Sequence, residues 1–245
     1  MMVWDHLMYD LKSLPAWFSN YHSVNNETIE TIVGFANTYW NSTLREYGHW
    51  AFVGIFLLVS GISFTFSRSN LSRGLKLLAV AVLISVISMT LEPIIGLQIG
   101  VFFGIIHMFA VGTLLVYILR KIWDNNLFML LIGTVIILLG FVIEWDRVAY
   151  VGVITIENFW QVIIGLKGYG ADFFGIIPYV GVIMIGTVLG KVLYPSRISL
   201  LPSLDKNWHR PFAFVGKHSL IIFVTHQIIL AGLIFTIGYF LGYTL

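Results

Sequence analysis

Gly100-Val-Phe-Phe-Gly-Ile-Ile-His-Met-Phe-Ala-Val-Gly-Thr-Leu-Leu-Val-Tyr-Ile-Leu-Arg-Lys121 is the stretch whose reading decides the fold. It is apolar over a length that can cross a bilayer, for which a helix needs about 20 residues. Its only ionisable group before the basic end is His107, near the middle. An imidazole at that depth is costly unless it faces protein, water or a ligand. What surrounds such histidines is the question the rest of the chain has to answer.

Composition says the same of the whole chain. It is 58% hydrophobic and 11% charged, with a mean hydropathy of +0.88. Soluble domains carry about 25% charged residues. The chain is therefore an integral membrane protein. A net charge of +2 points to no nucleic acid partner. There is no cysteine, which excludes disulfides, thiolate metal sites and a cysteine nucleophile.

Working outward, five further runs read as spans: His49 to about Ser67, Ser72 to Glu92, Leu127 to Glu144, Phe173 to Leu193, and His218 to the C-terminus. With about Leu97 to Leu119 they make six. Ser60, Ser63 and Ser67 share one helical face, as do Ser85, Ser88 and Glu92. Gly100-xxx-Gly104 and Gly186-xxx-Gly190 read as close helix packing. Residues 1–18 are apolar but too short to span, and they read as the second half of a first membrane helix. Residues 19–47 are polar and read as a loop, with Asn26-Glu-Thr and Asn41-Ser-Thr matching the glycosylation pattern. Arg147–Asp172 suits an interfacial or re-entrant loop. Pro195–Gly216, holding Pro195, Pro202 and Pro211, suits a loop on the membrane surface.

Alternating the spans sorts the basic residues. Arg68, Arg73, Lys76, Arg120, Lys121, Lys191, Arg197, Lys206, Arg210 and Lys217 fall on one side; Lys12, Arg45, Arg147 and Lys167 fall on the other. The positive-inside rule makes the first side cytoplasmic. The 19–47 loop and the C-terminus then lie outside. A cell membrane location with a cytoplasmic N-terminus is expected.

Three constellations could carry chemistry. His107 could exchange a proton near neutral pH or attack an acyl group; otherwise it is a packing histidine bonded to a carbonyl or a serine. His226 lies about two turns into the last span, on the face of Ser219, with an interhelical hydrogen bond as its alternative. His6 and Asp10 are four apart and share a helical face, the spacing of a carboxylate–imidazole pair, unless both sit in interfacial water. His49, at a helix end, reads as interfacial. No His-x-x-x-His or His-Glu-x-x-His motif is present, so no metal site is expected. Arg73, Lys76, Lys217 and His218 flank helix ends and could bind phosphates, or set topology and meet lipid headgroups.

Six stretches, in order, resemble one family. They are Met2-Val-Trp-Asp-His-Leu-Met-Tyr-Asp-Leu11, Ser60-Gly-Ile-Ser-Phe-Thr-Phe-Ser67, Ser72-Arg-Gly-Leu-Lys-Leu-Leu78, Phe103-Gly-Ile-Ile-His107, Ala171-Asp-Phe-Phe-Gly-Ile-Ile-Pro-Tyr-Val-Gly181 and Gly216-Lys-His-Ser-Leu-Ile-Ile-Phe-Val-Thr-His-Gln227. Together they are similar to the heparan-α-glucosaminide N-acetyltransferase catalytic-domain family of transmembrane acyltransferases. The family's first helix opens with residues that would precede Met1. The resemblance implies transfer of acetyl from cytosolic acetyl-CoA to an amino sugar across the membrane, with a histidine in the transfer. On this chain acyl-CoA would approach near Arg73 and Lys217. His107 or His226 would activate the acceptor or hold the acetyl group. His6, Asp10 and Asp172 would lie toward the acceptor side, with Asp10 or Asp172 orienting an imidazole or binding acceptor hydroxyls.

The reading is an all-α polytopic transmembrane helix bundle of six full spans plus a partial N-terminal helix, as a single acyltransferase-like domain over 1–245. Its expected catalytic residues are His107, His226, His6 and Asp10, with Arg73, Lys76, Lys217, His218 and Asp172 binding substrate. Acetyl-CoA is the expected acyl donor. The expected partners are a sugar or glycan acceptor and membrane lipid, and nothing in the sequence opposes a homo-oligomer. The alternative is a transporter or proton-relay carrier using the intramembrane histidines, disfavoured by the lack of an internal repeat. A non-catalytic membrane scaffold is a third.

Overall fold

A computed structural model describes residues 2–143, 150–170 and 172–244. Arg147, Glu144 and Ala171, which figure in the expectations above, lie outside the described residues. Helices dominate: α1 Met2–Trp17, α2 Tyr21–Val24, α3 Glu27–Trp40, α4 Thr43–Phe66, α5 Asn70–Ile95, α6 Ile105–Ile122, α7 Asn126–Ile143, α8 Phe159–Ile164, α9 Tyr179–Leu193, α10 Arg210–Lys217 and α11 Ser219–Phe240. Among the described residues the β-content is one isolated bridge, Tyr150 with Gly168. Among the described residues, five helices (α4, α5, α6, α7 and α11) are long and apolar enough to cross a membrane. The expected bundle is thus observed.

The remaining expected span, Phe173–Leu193, is helical only from Tyr179. Its 15 residues reach about 22 Å at 1.5 Å per residue. Pro178 sets the start: it disfavours helical backbone at the residue before it. The run from Leu97 begins its helix at Ile105: Gly104, in extended conformation, is the N-cap, and Gly100 lies against Glu92 of α5. The polar stripe of α5 takes up that backbone. Ser88 Oγ accepts from Val101 N–H at 3.0 Å, and Glu92 accepts from Gly100 N–H at 2.5 Å.

Residues 19–47, expected as a loop, hold α2 and α3. Asn26 caps α3 by accepting from the N–H groups of Thr28 and Ile29 at 3.1 and 3.2 Å. Val33 and Ala36 form the buried face of α3. The polar residues that suggested a loop are its exposed face. Residues 195–216 also contain a helix, α10. Phe214, Pro211, Val215 and Phe212 occupy one arc, and Arg210 and Lys217 the opposite one.

The chain divides into two compact units, residues 1–53 with 201–245, and residues 54–200. In the first unit α1 packs between α3 and α11. Leu14, Phe18, Tyr21, Val33 and Tyr243 close its core. In the second, α5 packs on α6, and α9 on α6 and α7. Gly186 and Gly190 of α9 pack closely on α4, as their spacing suggests, whereas Gly100 and Gly104, expected to do the same, precede α6 and meet the Glu92 and Asp172 side chains. A Cβ on Gly61 would strike the Ile183 carbonyl and Gly186, and one on Gly186 would strike the Leu58 carbonyl. Arg120, buried at the end of α6, donates to Thr187 Oγ1 at 2.8 Å and to Asp124 at 2.7 Å. Lys191 completes that knot on Asp124 and, by its hydrogen bond, holds the Asp124 carboxyl below the usual range; Arg120 adds to the effect.

Candidate active site

Helix α1 carries polar groups on two adjacent faces. Its face toward α11 presents His6 and Asp10, one turn apart. The His6 and His226 rings lie 4.8 Å apart between centroids, edge to face at 69°. His226 is buried. Its Nδ1 is 2.6 Å from the Phe223 carbonyl and 3.2 Å from that of Ile222. Carbonyls only accept, so Nδ1 carries the proton, and in the neutral ring Nε2 keeps a free lone pair. Among the described residues that buried Nε2 has no hydrogen-bond partner. Buried polar atoms are nearly always paired, so an unpaired one is open to a water, a ligand or a reacting group.

Asp10 is fully buried one turn further along α1. Spacing suggested that it would orient His6. Instead both its oxygens accept from Gln227 Nε2, at 2.9 and 3.0 Å. Gln227 directly follows His226, so this bond ties α1 to α11 beside the two imidazoles. Gln227 Oε1, like His226 Nε2, is buried without a partner among the described residues.

The other face of α1 centres on Asp5, which the sequence reading passed over. Its carboxylate accepts from Tyr39 Oη at 2.6 Å and Arg45 Nη2 at 3.2 Å, and lies 3.3 Å from His49 Nδ1. Burial, reinforced by the bond to Asp5, pushes the Tyr39 hydroxyl up to about 12, so it remains a donor at neutral pH. His49, expected at an interface, is a partner of this carboxylate. The available signal was the i, i+4, i+7 series of Asp5, Tyr9 and Lys12; its partners sit in and just after the stretch that looked like a loop.

His107 stands in the second unit, in a satisfied setting. Gly104 N–H donates to its Nδ1 at 3.3 Å, which leaves the proton on Nε2, 2.9 Å from Ser85 Oγ. Ser85 in turn is 3.4 Å from the Phe102 carbonyl. The ring thereby caps the start of α6. Asp172 supports the same helix end, accepting from Ile105 N–H at 3.2 Å. Burial raises its carboxyl to about 6. Gly104 is needed there, because a Cβ would strike the Asp172 carboxylate.

The expected phosphate-binding groups divide between the two units, Arg73 and Lys76 in the second, Lys217 and His218 in the first. Arg73 is half-buried and donates to Ser63 Oγ at 2.8 Å and Ser60 Oγ at 3.1 Å, a use for the α4 serine face. Lys76 is exposed and lines a shallow concavity with Ser69, Ser72 and Leu75. Lys217 is exposed at the end of α10. His218 Nδ1 bonds the Phe214 carbonyl at 2.8 Å. Among the described residues no three metal-ligating side chains cluster.

Fold and site define a polytopic helical membrane protein in which two helices bring together a buried imidazole, His226, and a half-buried one, His6. Residues 1–228 match the family model of the heparan-alpha-glucosaminide N-acetyltransferase catalytic domain, and the chain belongs to that family. Its class is therefore that of the membrane acetyltransferases. No curated protein and no solved structure matches the chain.

Proposed function

We propose that this protein transfers an acetyl or other short acyl group from cytosolic acyl-CoA to a sugar or similar acceptor on the outer face, with the His6–His226 pair as its chemical centre. The observation that carries this reading is the buried, unpartnered Nε2 of His226 beside a second imidazole. A neutral imidazole with a free lone pair is a general base suited to neutral pH. It takes the proton of the acceptor N–H or O–H as the acceptor's lone pair bonds to the thioester carbonyl carbon. The carbon–sulfur bond then breaks, and the proton returns to the departing thiolate. The Phe223 carbonyl stabilises the transient imidazolium through Nδ1–H, the role a carboxylate plays in a triad. His6 is the second proton-accepting group in reach. Asp10 acts through Gln227 as a positioning residue.

Lys217 and His218 lie just before α11, the helix that carries His226, and are the cations we assign to the donor's phosphates. Arg73 is given to helix packing, with Lys76 as the exposed cation of that stretch. His107 and Asp172 position α6. The family match runs through both units, which supports reading the chain as one acyltransferase domain.

The test uses the purified full chain in nanodiscs with acetyl-CoA carrying a labelled acetyl group and glucosamine as acceptor. Wild type should bind the donor and release labelled product. His226→Ala should lower turnover by about 10²–10⁴, the usual contribution of a general base, with the helical circular dichroism unchanged. Full turnover in His226→Ala would remove the pair from the mechanism, and failure of wild type to bind acetyl-CoA would remove the acyltransferase reading.

A further inference from the structure

The α3-facing side of α1 holds a feature that acyl transfer does not use. Lys12 Nζ lies 4.8 Å from the centroid of the Trp40 ring and 4.9 Å from that of Tyr9. Arg45 Cζ lies 3.9 Å from the same Trp40 centroid. The Tyr9 and Trp40 rings are themselves 5.1 Å apart. Two cations thus converge on one indole. Each gains from the ring's negative face, but two cations on one half-buried indole repel one another. Asp5 cancels one charge only: it binds Arg45, and its other partners are Tyr39 and His49. Lys12 has no hydrogen bond or ion pair among the described residues, and the buried Arg45 Nε has no partner there either. Tyr9 is 40% exposed, so the box opens to its surroundings.

We infer that Lys12, Arg45, Tyr9 and Trp40 form a binding site for an oxyanion, a phosphate, sulfate or carboxylate group carried on a larger molecule. Lys12 supplies a free ammonium and Arg45 a free Nε–H, both charge-assisted donors. Tyr9 and Trp40 supply apolar walls for the carbon skeleton that bears the anion. The anion relieves the repulsion between the two cations, which is why the site favours a charged ligand over a neutral one of the same shape. The group could belong to a soluble acceptor or to a lipid headgroup; the chemistry recognised is the same. No acyl donor is needed for this binding, so its failure would leave the acyltransferase reading standing.

Saturation-transfer NMR on the purified full chain tests the site, with glucose 6-phosphate and glucose as paired probes at equal ionic strength. Glucose 6-phosphate should receive saturation from the wild type and glucose should not. Lys12→Gln should bind about tenfold more weakly, the loss of one charge-assisted bond. Lys12→Arg should restore binding, which separates lost charge from lost folding. Repeating the measurement in phosphatidylglycerol and in phosphatidylcholine nanodiscs identifies the source. Loss of the signal only in the anionic lipid assigns the site to headgroups, and retention in both assigns it to a soluble anion; either supports the site. Equal saturation of the two sugars by wild type, or undiminished binding by a folded Lys12→Gln, would overturn it.

Discussion

His107 and His226 are both buried imidazoles on apolar helices, and their hydrogen bonds separate them. His107 spends both nitrogens, one on Gly104 N–H and one on Ser85. His226 spends Nδ1 on a carbonyl and leaves Nε2 free. Two opposite outcomes follow. His107→Ala strands the Gly104 N–H and should cost about 1–3 kcal/mol of stability, read as a lower thermal midpoint. His226→Ala should cost about 1 kcal/mol or less, since it removes an unsatisfied Nε2 and frees only a carbonyl of its own helix, and should lose turnover instead. Asp172 adds a pH signature. Burial raises its folded carboxyl from the ordinary aspartate range to about 6, so the folded state holds the proton more tightly than the unfolded state between those values. Stability should therefore fall as pH rises from about 4 to about 6 and level off above that range. Asp172→Asn keeps an acceptor for Ile105 N–H and should flatten this slope in a melting series across pH. A slope unchanged in the variant would place its origin elsewhere.

At the scale of elements, α1 shows how far the sequence could be read. The pairing of His6 with the α11 histidine follows from helical periodicity once two helices are known to be neighbours, and that neighbourhood is what a single sequence withholds. The same limit hid Asp5. Its partners Tyr39, Arg45 and His49 are distant in sequence, and Tyr39 sat in a stretch whose Asn, Ser and Thr residues looked like a loop. In α3 those residues serve as a cap and as an exposed face, while Val33 and Ala36 carry the packing. Long apolar runs gave the spans directly, because bilayer thickness fixes their length. Their starts were less legible, since Pro178 and the glycines before Ile105 act through backbone geometry that hydropathy does not register. The glycines were legible as contacts but not as pairs. Gly61 meets Gly186 and the Ile183 carbonyl. Gly61→Leu should therefore force α4 from α9 and cost about 1–3 kcal/mol or more. Gly54→Leu, seven residues earlier on the same helix with nothing within 4 Å of its Cβ position, should be tolerated. Parallel thermal unfolding of the two variants checks the pair; equal losses would mean that the close approach of α4 and α9 is not what Gly61 provides.

For the whole molecule the open quantity is sidedness, and charge and contacts bear on it separately. The basic residues segregate ten against four when the spans alternate, which argues for Arg68, Lys121 and Arg197 in the cytoplasm. Within the first unit, α1 and α11 run parallel: His6 meets His226, Trp17 meets Phe235, and Phe18 meets Tyr243. The ends of both helices are then tied together, Ser19 N–H to the Thr244 carbonyl at 2.8 Å and Asn20 to the Gly242 carbonyl at 2.9 Å. Residues 19–20 and the C-terminus must therefore lie on one side of the membrane, whichever side that is. The chain has no cysteine, so each introduced thiol is the only one present. With a membrane-impermeant maleimide added to intact cells, single cysteines at Ser23 and at Glu27 should label together, and those at Lys121 and Arg197 only after the membrane is opened. The reverse pattern would invert the protein and move the basic residues outside. Mixed labelling of Lys121 and Arg197 would be more damaging, because an even number of crossings must separate them. The short α9 lies between those two positions, so that result would mean it does not cross with α7, and the six-span bundle would lose a helix.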